Sequence, residues 1–268
     1  MNVKRVVSGL ILFPVAATIL ILGNKYVVDM AVAILAIMCL HEFYKAFRTG
    51  EKAKPITWVG YILAAMVSLI HVLPREWIVK TIGILLPTIL CILFIYVIIK
   101  KSNIIDMTVT FFGIFYIVVF LMYISVIHEN LQHGKLLIWF LFLSAWGTDI
   151  FAYIVGKNIG KHHFTEISPK KTIEGCIGGI LGAIVLAILY SVVCNHIFAV
   201  EFNYIYVAII TLILSILSQI GDLAASSVKR YTGIKDFSNL IPGHGGMLDR
   251  IDSVIFAAPF AYFLFMLM

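Results

Sequence analysis

The chain has 268 residues, of which 62% are apolar and only 13% charged, with a mean hydropathy of +1.03. A soluble domain is nearer half apolar and a quarter charged, so a soluble globular protein, a disordered tail and a disulfide-stapled secreted module are all excluded. The net charge of +6 implies acidic partners only where the basic residues gather on one surface.

A transmembrane helix needs about 20 mainly apolar residues with its backbone hydrogen bonds closed internally. Charge-poor runs of that kind lie at 6–23, 27–44, 56–73, 77–99, 104–127, 136–155, 175–194, 203–225 and 251–268. They predict an all-α polytopic membrane protein with about nine transmembrane helices. Asp29 interrupts the second run and Lys80 the fourth. The first follows Lys4 and Arg5 as a signal peptide would, but it is long for an apolar signal core and lacks a small-residue cleavage site, so it reads as a retained span. Nine spans sort the loops into two alternating sets, and sixteen of the 20 basic residues fall in one of them. Cytoplasmic loops carry the excess Lys and Arg, which sets the N-terminus in the cytoplasm. In a bacterium the expected location is the inner or sole cell membrane.

No repeat or long linker divides the chain, but polarity does. Residues 1–130 read as transmembrane helices whose charges sit in loops. Residues 131–268 read as a transmembrane catalytic region with an active site at the cytoplasmic face, because carboxylates there enter the spans and glycine-rich basic segments crowd the helix ends. Asp149 lies within the sixth run, where a carboxylate costs at least ~2.5 kcal/mol, so it should face a partner or a wet cavity. Ser168-Pro169-Lys170-Lys171-Thr172 precedes a glycine-rich helix, and adjacent lysines beside unpaired helix N–H groups suit a phosphate. Asp222, towards the C-terminus of the eighth run, meets the unfavourable end of the helix dipole and calls for a cation or a basic partner.

The densest segment runs from Lys229 to Ser253. Asp249 and Asp252 stand three apart at a helix start, so they share a face and can ligate a hard cation such as magnesium. Taken alone, the pair is explained more simply by the favourable interaction of carboxylates with a helix N-terminus; their company of Asp222 and Asp149 favours a metal. Pro242-Gly243-His244-Gly245-Gly246 leaves backbone amides uncovered for phosphate oxygens, although a turn is the commoner meaning of such a loop. His162 and His163 read as interfacial, and the other histidines show no partner. The scattered Cys39, Cys91, Cys176 and Cys194 form no C-x-x-C pair and read as small apolar residues. Zinc-helix, phosphate-loop, nucleophile-elbow and dinucleotide motifs are all missing.

Acids fit for magnesium and bases fit for phosphates point to phosphoryl or nucleotidyl transfer on a lipid. The segment Ser226-x-x-Lys229-Arg230-x-x-x-x-Lys235-Asp236, followed by His244-Gly245-Gly246-Met247-Leu248-Asp249-Arg250-Ile251-Asp252, resembles the signature of the phosphatidate cytidylyltransferases, or CDP-diacylglycerol synthases, without a departure. The likeness extends more loosely to residues 168–172 and 146–149. It implies a magnesium-dependent reaction of CTP with phosphatidic acid, yielding CDP-diacylglycerol and pyrophosphate, in a homodimer embedded in the lipid bilayer; no nucleic acid is expected as partner. On this reading Asp222, Asp249 and Asp252 bind the metal, with Asp149 a candidate fourth ligand or support. Lys170, Lys171, Lys229, Arg230, Lys235 and Arg250 divide the triphosphate and the lipid phosphate, and Ser226, His244, Gly245 and Gly246 complete the substrate-binding set. An ion-coupled transporter should instead gather its carboxylates near the midplane between related repeats. A CDP-alcohol phosphotransferase should carry three Asp on neighbouring helical turns, and a membrane scaffold leaves the charged cluster unexplained.

Overall fold

The computed structural model describes residues 3–241, 243 and 245–267. Each apolar run overlaps a helix: α1 Val3–Leu22, α2 Lys25–Thr49, α3 Thr57–Met66 with a 3₁₀ extension Val67–Val72, α4 Arg75–Ile98, α5 Ile104–Gly113, α6 Phe120–Asn130, α7 Gly134–Ile159, α8 Ile173–Ile197, α9 Tyr204–Thr232 and α10 Leu248–Phe265. A π-helical turn, Ile114–Val119, joins α5 to α6 as one apolar helix. Among the described residues there are no strands, only the isolated bridges His163 to Thr172 and Ile241 to Gly245. Six of the described helices are long and apolar enough to cross a membrane, which marks a polytopic membrane protein. Thr57–Val72 is shorter, and α10 opens on Asp249, Arg250 and Asp252.

Local chemistry sets several helix starts. Asn24, Asn103 and Thr172 each precede a helix in extended conformation and accept a hydrogen bond from the backbone N–H three residues on, at 3.0, 2.8 and 3.1 Å.

Backbone contacts divide the chain into two compact units. The first comprises Met1–Ser125 and Tyr231–Arg250, the second Val126–Arg230 and Ile251–Met268. In the first, α2 is the central helix, with Leu40, Phe43 and Tyr44 fully buried. The Tyr44 hydroxyl donates to the Thr110 carbonyl at 2.9 Å, and Gly60 and Gly113 both lie so near Tyr44 that a Cβ at either would come within 2.7 Å of it. Not all charges of this half sit in loops, as the sequence led us to expect. Asp29 is wholly buried against His71 Nδ1 at 2.8 Å, and Glu42 is 3% exposed. A buried carboxylate must find donors, and these two find them in segments remote in sequence.

In the second unit α7 and α8 pack closely. The buried stripe on α8 is Gly175, Gly179, Ala183 and Ala187, spaced by four, followed by Ser191 and Cys194. Small residues at this spacing let two backbones approach, which is how apolar helices associate when their side chains gain nothing from leaving lipid. A Cβ at Gly179 would stand 2.7 Å from the Thr148 carbonyl oxygen on α7. Gly179→Val should therefore overpack this seam and cost at least ~1–3 kcal/mol, seen as a lower thermal midpoint of the detergent-solubilised protein, whereas the same change at the open Gly83 should leave the midpoint nearly unmoved.

Candidate active site

In the second unit, Asp149 of α7, Lys170 and Lys171 of the following loop, and Asp222 of α9 come from segments up to 73 residues apart. Lys171 and Asp222 form an ion pair. The Lys171 Nζ is buried and has no hydrogen-bond partner apart from that pairing among the described residues. Asp222 thus has the basic partner that its position demanded. Its helix, however, runs on to Thr232, so the carboxylate stands well inside α9, and the end-of-helix dipole, which fades within one turn, is a minor part of the reason. A recess of about 180 Å³ is lined by Asp149, Tyr153, Lys170, Lys171, Thr172 and Gln219, among others. Gln219 is held by donating to the Cys176 carbonyl at 3.3 Å.

The loop carrying the lysines is tied down at both ends. Glu174, in the first turn of α8, accepts the His162 side chain at 2.6 Å and the backbone N–H groups of Lys161 and His162 at 3.1 and 3.3 Å. His162 is exposed, as expected of an interfacial residue, yet it has a firm partner, and so has His71; the sequence showed neither pairing because the partners lie 12 and 42 residues away. Thr172 caps α8 and fills the space left by Gly156, Gly160 and Gly175.

Asp252 of α10 belongs to this unit and is only 5% exposed. Its carboxylate is repelled by Asp222 and Asp149 and attracted by Lys229. The approach of the two helices is made possible by Gly221, where a Cβ would stand 2.9 Å from the Asp252 carbonyl oxygen. Ser253 bridges the next side chain, with its Oγ 3.5 Å from Asp149 Oδ2. Ser226 is buried on α9, and Arg230, near the helix end, is exposed and reaches the Ile167 carbonyl at 3.5 Å.

The remaining predicted residues lie in the first unit. Lys235 and Arg250 are exposed. His244 lies outside the described residues. Gly243 and Gly245 adopt φ values of +79° and +84°, so the glycines are required by the backbone itself. Asp249 Oδ2 accepts the N–H groups of Phe237 at 2.9 Å and Gly246 at 3.0 Å. Asp249, in the first turn of α10, thus ties loop amides that precede the helix; a carboxylate offers about four acceptor sites, and these two bonds use part of them. The residue sequence reasoning missed is Glu42. Its oxygens accept the Ser238 hydroxyl at 2.6 Å and the N–H groups of Met247 at 3.0 Å and Leu248 at 2.8 Å. Its one signal in sequence was an acid near the end of an apolar run, with His41 and Lys45 close enough to suggest an ordinary charged span end.

Among the described residues no three His, Cys, Asp or Glu side chains are gathered as a ready-made ligand set. Magnesium keeps several waters and draws further ligands from substrate phosphates, so one or two carboxylates suffice for it. The hard oxygens of Asp222 and Asp252, set in one field of charge with Asp149 and Lys229, fit that requirement.

The cytidylyltransferase family model matches residues 3–268. A phosphatidate cytidylyltransferase of Bacillus subtilis is 47% identical over 134 residues, 50% of this chain and 48% of that protein. One from Synechocystis is 40% identical over 142 residues, 52% of this chain and 46% of the relative, so the chain matches about half the length of these two proteins. A phosphatidate cytidylyltransferase of Staphylococcus haemolyticus is 33% identical over 266 residues, 95% of both chains. With the family model covering nearly every residue and a relative matched over 95% of both chains, the chain belongs to the cytidylyltransferase family.

Proposed function

We propose that this chain transfers a cytidylyl group from CTP to phosphatidic acid, releasing pyrophosphate and yielding CDP-diacylglycerol, at the cytoplasmic face of a bacterial cell membrane. Family membership and the names of its relatives support the reaction. The one-sided distribution of basic residues supports nine spans with the N-terminus inside. Residues 131–268 supply most of the proposed catalytic groups, and a homodimer is proposed from the resemblance alone.

Lys171 carries this reading. A buried ammonium group has three donors, and here a single carboxylate answers it. Lys171 and Asp222 satisfy one another; a phosphate for the lysine and a hard cation for the aspartate would satisfy both at once. Asp222, Asp249 and Asp252 are the proposed magnesium ligands, with Asp149 in support. When bound, the metal would neutralise phosphate charge and polarise the reacting phosphorus. Lys170, Lys171, Lys229, Arg230, Lys235 and Arg250 would hold the triphosphate and the lipid phosphate in line, with Ser226 and the loop His244-Gly245-Gly246 against phosphate oxygens. A lipid phosphate oxygen attacks the α-phosphorus of CTP, its bond to the β-phosphate oxygen breaks, and pyrophosphate leaves with the electron pair. A phosphate monoester is largely dianionic near neutrality because its second pKa is about 6, so no residue is assigned as general base. Positioning and charge neutralisation supply the acceleration.

The purified protein in detergent should release pyrophosphate only when phosphatidic acid, CTP and magnesium are all present, and chelation should stop it. No lipid-dependent release with any of the four nucleoside triphosphates would refute the assignment. Asp249→Asn and Asp252→Asn should each lower turnover by at least about 100-fold while leaving membrane insertion intact, as read by membrane fractionation; full activity in either would remove that residue from the metal set. Lys171→Met should raise the KM of one phosphate-bearing substrate by about 10–100-fold, the worth of a hydrogen bond to a charged group. Unchanged KM and kcat in that variant would show that the recess does not bind substrate.

A further inference from the structure

We propose that Glu42 is a positioning residue for the reaction: from α2 it holds the start of α10, and with it Asp249, in the register that metal binding requires. The inference rests on the assignment of Asp249 as a metal ligand. Glu42 is 3% exposed, and every donor it meets is neutral: the Ser238 hydroxyl and the backbone N–H groups of Met247 and Leu248. No ion pair to it occurs among the described residues. Its charge is instead stabilised by N–H groups at the positive end of α10, which begins at Leu248.

The contact is specific. Gly246 faces Glu42 so closely that a Cβ there would stand 2.5 Å from Oε2 and 2.8 Å from Cδ. Gly246 is therefore a glycine for the sake of the carboxylate behind it, whatever ligand lies in front. Asp249 completes an interlock by accepting the N–H groups of Phe237 and Gly246. Two carboxylates from α2 and α10 thus bind both sides of the loop, residues 237–238 on one side and 246–248 on the other. Removing Glu42 leaves the N–H groups of Met247 and Leu248 without this acceptor, and Leu248 is fully buried. The helix start must then shift to find one, and Asp249 moves with it.

The test uses the full-length protein in detergent, with Glu42→Ala, Glu42→Gln and Asp249→Asn compared with the parent. Three quantities are read: the metal-free thermal midpoint, Mn2+ affinity by electron paramagnetic resonance, and the magnesium concentration giving half-maximal pyrophosphate release. Glu42→Ala should weaken Mn2+ binding by about 10–100-fold and raise the half-maximal magnesium concentration by a similar factor, the usual effect of losing a residue that orients a ligand. Glu42→Gln, which keeps one acceptor oxygen, should fall between it and the parent. Parental Mn2+ affinity in folded Glu42→Ala and Glu42→Gln, with only the thermal midpoint lowered, would overturn the proposal; if Glu42→Ala does not fold, Glu42→Gln decides on the same measure. Asp249→Asn separates the two layers. Unchanged Mn2+ affinity there refutes the metal assignment itself, whereas weakened binding there with parental binding in the Glu42 variants refutes only the positioning.

Discussion

A carboxylate inside an apolar helical protein has to be answered by donors, and much of this structure follows from how its acids are answered. Asp29 takes His71, Glu42 takes a hydroxyl and two helix-start amides, and Asp106 takes the amide of Lys54 and the side chain of Asn103. Asp222 takes Lys171. Apart from the local Asn103, each answer comes from another segment, so each of these acids fixes two segments against one another. An unanswered acid would cost several kcal/mol or lose its charge, and this makes the pairings stricter than the apolar contacts around them.

Apolar packing is permissive by comparison. A seam of glycine and alanine on α8 accepts its neighbour because nothing protrudes, and many sequences would do as well. The polar pairings admit few substitutes. Shape is thus supplied by small residues and register by charged ones, and the two tasks fall on different positions of the same helices. At Gly221 and Gly246 they meet, since the first makes room for the backbone of Asp252 and the second for the carboxylate of Glu42.

The helices were legible because hydrophobic length is a local property: every apolar run read from the sequence overlaps a helix. Helix ends were less so. The eighth run was ended at residue 225, where polar residues begin, yet α9 continues to Thr232, because a helix leaving an apolar region need not stop when its side chains become polar. Charge in unlikely places and the family signature singled out Asp222, Asp249, Asp252 and the lysines, and of these the structure joins Lys171 to Asp222. Glu42 was not singled out, since its partners lie 196 to 206 residues away and its own neighbourhood is that of an ordinary span end. The same distance in sequence hid the membership of Tyr231–Arg250 in the first unit.

That membership bears on how the chain is made. α2 is synthesised early, whereas the amide of Leu248, which Glu42 accepts, lies 206 residues later. At a synthesis rate of about 5–20 residues per second, roughly 10–40 s pass before this partner exists. Through that interval the first unit lacks its last strap, and its central helix carries an acid that water or a transient partner must serve. The first unit to begin therefore stays open until nearly the whole chain is made, and a ribosome halted before residue 248 leaves the early helices present but unlatched.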